Sequence, residues 1–157
     1  MREIRYDDLD ALQKMVSAEF GDWGKDLEIT QQLIDEFAGI SGDQQWLDVE
    51  VGRARQGPFG ATIAPGMLTL SILPRVRAPS TFKVVDQGNT VNYGSDGLRF
   101  LEPVRAGSKI HARSRLTDVQ GHARGTRMTY EFAVHVLGND RPSLLYKAVL
   151  LHAPPRS

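Results

Sequence analysis

From Ala64 to Pro74 the chain reads Ala-Pro-Gly-Met-Leu-Thr-Leu-Ser-Ile-Leu-Pro, apolar almost all the way round and bracketed by prolines. Pro65 suits a first helical position and Pro74 a stop, so the spacing predicts a short helix over residues 65–73. A helix without a polar face has to be buried, and the rest of the chain must supply its cover. The first turn of any helix leaves backbone N–H groups unbonded. At Gly66 no side chain stands before that amide, so a ligand oxygen can meet it there. A core helix with a tolerated glycine is the plainer reading of the same residues.

The cover follows in sequence. Beyond residue 81 the apolar period changes from that of a helix to two, with short strands expected at 84–91 and 98–101. Residues 110–119 alternate Ile110, Ala112, Ser114 and Leu116 against His111, Arg113, Arg115 and Thr117. Residues 127–137 set Met128, Tyr130, Phe132, Val134 and Val136 on one face, and 143–151 make the last strand. Gly121-His122 and Gly138-Asn139-Asp140 read as the turns between them. Three long antiparallel strands preceded by helices give the class α+β, an antiparallel sheet wrapped around one buried helix. With 157 residues, 41% of them hydrophobic, the chain is long enough to form that core as one domain, 1–157.

Ahead of the buried helix, Leu9, Leu12, Met15 and Val16 mark an amphipathic helix over 7–18, with Gly21 beyond its end. Leu27-Glu28-Ile29 is a brief extended piece, and Thr30 is a good N-cap for a second helix over 31–38. Its stripe of Leu33, Ile34, Phe37 and Ala38 buries one face and delivers the chain at Gly39 into Ser41-Gly42-Asp43-Gln44-Gln45-Trp46-Leu47-Asp48. Two carboxylates five residues apart beside a glycine turn can position a water for proton transfer, one as acid and one as base. A solvated turn is the alternative. One or two helical turns over 49–56 lead to a break at Gly57-Pro58-Phe59-Gly60.

Nineteen basic and nineteen acidic residues cancel, so no global field recruits nucleic acid or an anionic membrane. The absence of cysteine excludes disulfides, thiolate metal sites and a cysteine nucleophile, and suits the cytoplasm. No run approaches about 18 apolar residues, so a soluble cytoplasmic protein is expected. His111, His122, His135 and His152 stand at no metal-ligand spacing and read as surface or strand histidines. Ser71 and Ser80 lack a nucleophile motif, and nothing calls for a cofactor or metal. Arg75, Arg77 and Lys83 are candidate contacts for phosphates or an acidic protein face, or else a solvated loop.

The order of the loop at residues 41–48, Gly57-Pro58-Phe59-Gly60 and Thr62-Ile63-Ala64-Pro65-Gly66-Met67-Leu68-Thr69-Leu70-Ser71 resembles the MaoC-like dehydratases of the hot-dog fold. The branch with NodN-like proteins and (R)-specific enoyl-CoA hydratases is nearest, with Asn92-Tyr93-Gly94 and Arg99-Phe100-Leu101-Glu102-Pro103-Val104 also similar. The resemblance implies hydration of trans-2-enoyl thioesters, or dehydration of (R)-3-hydroxyacyl thioesters, carried on coenzyme A or an acyl carrier protein. It also implies a homodimer, which would cover an edge strand. Asp43 matches the family's catalytic Asp, and Gln45 stands where an amide side chain holds the loop. Gly66 matches the glycine whose amide binds the thioester oxygen, with Pro65 and Met67 beside it as substrate contacts.

Two positions depart from that pattern: Asp48 stands where the family has its catalytic His, and Pro65 where many relatives have another. An ordinary aspartate is a far weaker base than an imidazole. Two carboxylates in one poorly solvated pocket, however, drive each other apart in pKa and restore an acid and a base. Three readings follow: a hydratase working through Asp43 and Asp48, a subunit that binds thioesters or partners an active homologue, or another reaction on a polyketide-like thioester.

Overall fold

The computed structural model describes residues 1–157, except for the side chain of Trp46. In chain order the elements are β1 (Arg2–Arg5), α1 (Leu9–Gln13), β2 (Leu27–Glu28), α2 (Gln31–Ser41), α3 (Trp46–Val49) and α4 (Val51–Arg55). There follow α5 (Gly66–Ser71), α6 (Leu73–Val76), β3 (Phe82–Val85), β4 (Asn89–Phe100), β5 (Lys109–His122), β6 (Gly125–Val136) and β7 (Leu144–Ala153). The main sheet is antiparallel in the order β2-β5-β6-β7-β4, and β1 pairs with β3 in a small parallel ribbon. Helices α5 and α6 lie across the inner face of the main sheet, which is the hot-dog arrangement.

The inner face is built by alternation. Ile110 and Ala112 on β5, Val134 on β6 and Leu144 on β7 are fully buried, with Phe132 and Ala148 nearly so. Leu68, Leu73 and Val76 of the helices, with Ile29 and Ile34, pack against them in one cluster. A second cluster of Ile4, Leu12, Phe82, Leu116, Val119 and Met128 ties β1, α1 and β3 to the other end of the sheet. Truncating a side chain as buried as Ile110 typically costs about 2–5 kcal/mol, so these clusters dominate the fold's stability.

Several boundaries differ from the expectation, each for a local reason. The first helix stops at Gln13, because the chain then turns to bond the free edge of β5: Ser17 N–H reaches Leu116 O and Gly24 N–H reaches Ala112 O. Thr30 caps α2 as expected, accepting from Leu33 N–H at 3.1 Å, but the helix continues through Gly39 to Ser41. Gly42, at φ 77°, is the left-handed stop. Pro74 starts α6 rather than ending α5, since a proline in a first turn loses no hydrogen bond.

The strands expected at 84–91 and 98–101 divide instead into β3 and one long β4 carrying bulges around Tyr93 and Asp96. The β5–β6 turn falls at residues 123–124, after His122. Gly125 allows it, since its φ is 139° and a β-carbon there would stand 2.0 Å from His152 O. Two of the histidines are buried strand residues: His135 on β6, whose Nδ1 lies 2.9 Å from Asn139 O, and His152 on β7, whose Nδ1 lies 3.0 Å from Thr90 Oγ1. His111 stacks on Trp23 with ring centres 3.8 Å apart.

The short helix is less enclosed than its composition predicts. Met67 is 52% exposed, and β4, the edge of the sheet beyond β7, is exposed at all twelve residues, Val91, Tyr93, Leu98 and Phe100 among them. No helix among the described residues is long and apolar enough to cross a membrane.

Candidate active site

Between α2, the α3 turn and the start of α5 lies a cavity of about 510 Å³. Asp43, Gln45, Asp48, Pro65, Gly66 and Met67 all border it. The residues singled out from the sequence are thus brought together, with Phe37 and Phe100 as apolar walls. Asp43 follows the αL stop of α2 and is exposed, its N–H donating to Ser41 Oγ at 3.2 Å. Asp48 sits on α3 and is 6% exposed. No described residue donates a hydrogen bond to its carboxylate, whose pKa is pushed up by burial first and by the charge of Asp43 second. Gly66 is the first residue of α5, and its N–H has no backbone acceptor.

One frame holds the loop to the helix start. Gln31, at the head of α2, donates from Nε2 to Asp48 O at 2.8 Å and to Asp35 Oδ1 at 2.9 Å. The buried Thr62 hydroxyl donates to Gln31 Oε1. Ile63 N–H bonds Leu47 O at 2.9 Å, and Ala64 N–H bonds Val104 O at 2.8 Å. Asp48 and the Gly66 amide are therefore fixed to the same stretch, 62–64.

Sequence reasoning missed Gln31, which reads as an ordinary residue after an N-cap, and Phe100, which reads as a strand residue. Gln45, expected to hold the loop by its side chain, takes part through its carbonyl, which accepts from Asp48 N–H at 3.0 Å. Gln31→Leu removes the link to the Asp48 carbonyl, so it should lower kcat about tenfold or more with little change in KM, since misplacement of a reacting group by 1 Å can cost 10²-fold. Steady-state kinetics beside circular dichroism check this, and equal kcat would exclude a positioning role.

Arg75, Arg77 and Lys83 do not gather at this cavity: Lys83 reaches Glu3 at 4.0 Å, and Arg77 borders a different hollow beyond α6. Two hollows of about 350 and 520 Å³ lie there along residues 78–80. Tyr130 borders both, and burial raises the pKa of its hydroxyl to about 12, so it stays neutral and cannot serve as a base near pH 7.

The family model described as MaoC like domain matches residues 21–136. A 3-hydroxyacyl-thioester dehydratase Z of Mycobacterium tuberculosis is 37% identical over 130 residues, covering 82% of this chain and 83% of that protein. Nodulation protein N of Rhizobium meliloti is 36% identical over 146 residues, covering 92% and 88%. Among solved structures, an R-hydratase of Pseudomonas aeruginosa superposes with a TM-score of 0.66 at 20% identity, covering 88% of this chain and 83% of that one, a likeness of fold.

Proposed function

Since the chain belongs to the MaoC-like dehydratase family, we propose that it hydrates trans-2-enoyl thioesters, or runs the reverse dehydration of (R)-3-hydroxyacyl thioesters, with two carboxylates in place of an Asp–His pair. The supporting observation is that a buried Asp48 with a raised pKa shares one cavity with Asp43 and the Gly66 amide.

In hydration, Asp43, open to water, removes a proton from the attacking water as its oxygen bonds the β-carbon. Electrons move to the thioester oxygen, where the Gly66 N–H stabilises the enolate charge. Asp48, whose pKa burial raises, serves as the acid that passes a proton to the α-carbon as the enolate collapses. Each turnover leaves the proton on Asp43 and the charge on Asp48, and exchange of a proton with solvent through the exposed Asp43 resets the pair. Dehydration runs the same steps backwards.

Loss of enoyl absorbance across a series of enoyl-CoA chain lengths tests this. The parent should be active and Asp43→Asn reduced by roughly 10²–10⁴ in kcat, the usual scale for a general base. Activity in Asp48→His but none in the parent would instead assign the chain to a non-catalytic or partner role.

The active form is proposed to be a homodimer joined along β4. The outer edge of β4, a strand of twelve exposed residues paired only with β7, is an open template for pairing, and its exposed Val91, Tyr93 and Leu98 are suited to a self-complementary face. Sedimentation should give twice the chain mass, falling to one chain for Leu98→Lys. A monomeric parent at micromolar concentration would overturn it.

A further inference from the structure

His111, Arg113 and Arg115 alternate along β5 with the inward Ile110 and Ala112, so they stand on the outer face of the main sheet, away from the cavity with the acids. Phe20 and Trp23 lie over them. The contacts run in sequence: the His111 ring stacks on Trp23 at 3.8 Å, the Arg113 guanidinium lies 4.5 Å from the Trp23 ring and 4.8 Å from that of Phe20, and Arg115 lies 4.5 Å from Phe20. His135, directly across from His111 on β6, meets the same Trp23 ring edge-on at 5.0 Å.

The cations of this face are not equally neutralised. Arg115 pairs with Glu131 at 2.8 Å, Arg127 with Asp96 at 3.8 Å, and Lys109 with Asp26 at 3.9 Å. Half-buried Arg113 has no ion pair and no hydrogen bond with any described residue: its Nε is covered by protein, while its Nη atoms keep contact with solvent. The His135 Nδ1 donates to Asn139 O, since a carbonyl only accepts, and this leaves Nε2 for another partner. Trp23, His111, Arg113 and His135 border one open hollow of about 350 Å³, with Asn139 and the exposed Asp140 on its rim. Burial first, and then the like charge of His135, lowers the His111 pKa; Asp26 pulls against this and Arg113 adds to it. A guanidinium without a counter-ion beside two imidazoles is a cluster of one sign that an anion relieves.

We propose that this cluster is an oxyanion site, in which the Arg113 fork, held flat between Phe20 and Trp23, takes the oxygens of a phosphate group with His111 and His135 beside it. A planar guanidinium fixed by aromatic contacts has lost its freedom before the ligand arrives, and its paired N–H groups match the spacing of phosphate oxygens. Because its Nδ1–H is committed to Asn139, His135 donates to the anion from Nε2 only as the imidazolium. Affinity therefore rises as pH falls through the histidine range, with Asp26 and Asp140 negative throughout. The proposal does not depend on the hydratase reading. In the sheet order β5 stands three strands from β4, so a dimer joined along β4 leaves this face open.

Calorimetry of the full chain at low ionic strength tests this with inorganic phosphate, with adenosine monophosphate, and with sulfate, whose charge is constant across the histidine range. Inorganic phosphate should bind saturably with a millimolar or lower Kd, and sulfate should bind more tightly as pH falls. In NMR spectra the imidazole signals of His111 and His135 should shift with added phosphate, while those of His122 and His152 stay in place. Arg113→Gln should weaken binding about tenfold or more, the scale of a hydrogen bond to a charged group. Asp140→Asn removes an exposed acid from the rim and should tighten binding about twofold. A monoester that binds more tightly than inorganic phosphate assigns the site to an organic phosphate, and an equal or weaker one assigns it to the free ion. No saturable phosphate binding, His111 and His135 signals that stay in place, or undiminished affinity in a folded Arg113→Gln overturns the proposal.

Discussion

Asp48→Asn is expected to lower kcat for hydration by roughly 10²–10⁴-fold and, at neutral pH, to raise the midpoint of thermal unfolding. The two effects have one origin. Burial and the neighbouring charge of Asp43 hold the Asp48 pKa above its ordinary value. In the unfolded chain the group titrates in the ordinary carboxylate range. Between those two pKa values the folded protein binds more protons than the unfolded one, so stability declines as pH rises through that window and stays low above it. Asparagine has the same shape and no charge to desolvate, so it removes this loss while also removing the proton that the proposed mechanism delivers to the α-carbon.

Unfolding midpoints measured from pH 3 to pH 9 should therefore diverge for the two proteins as pH rises and converge below the ordinary carboxylate range. The parent's activity should fall as pH rises through the raised Asp48 pKa, because the acid is then lost. A variant that is less stable than the parent at pH 8 would mean that the carboxylate is favourably bound, and unaltered kcat would remove Asp48 from the proton pathway.

Much of this site was legible in the chain before folding, for physical reasons that differ from residue to residue. Period-two alternation in β5 and β6 is imposed by the sheet itself, so Ile110, Ala112 and Met128 to Val134 gave the correct inner face. Thr30 worked as a cap because its hydroxyl competes locally for Leu33 N–H, which needs no tertiary context. Gly39 failed as a stop because a glycine in a helix costs only about 1 kcal/mol, and burial of Ala38 outweighs that.

What was illegible depends on distance in sequence. Gln31 lies 17 residues from the carbonyl it holds, and Phe100 lies 34 residues from the glycine it covers, so no local pattern marks either one. The incomplete burial of the apolar helix is of the same kind. Composition dictates that Met67 be covered, but a single chain does not supply the cover.

Gly66 carries the other large effect, and two substitutions separate its causes. Gly66→Ala keeps the N–H but introduces a β-carbon 2.4 Å from the Phe100 ring, so the ring has to move. Gly66→Pro adds the same carbon and also removes the N–H. The backbone tolerates proline there, since residue 66 is the first of α5 and Pro65 before it is extended at ψ 138°, the region a pre-proline residue prefers. Placing both in a Phe100→Ala background relieves the shared clash and leaves the amide as the difference between them. Loss of one donor to a developing oxyanion costs about 10²–10³ in kcat. Gly66→Pro should fall below Gly66→Ala by that factor in kcat, with unfolding midpoints within a few degrees of each other. Equal rates would mean that the enolate charge is stabilised elsewhere, and the glycine would then be required by the closeness of Phe100 alone.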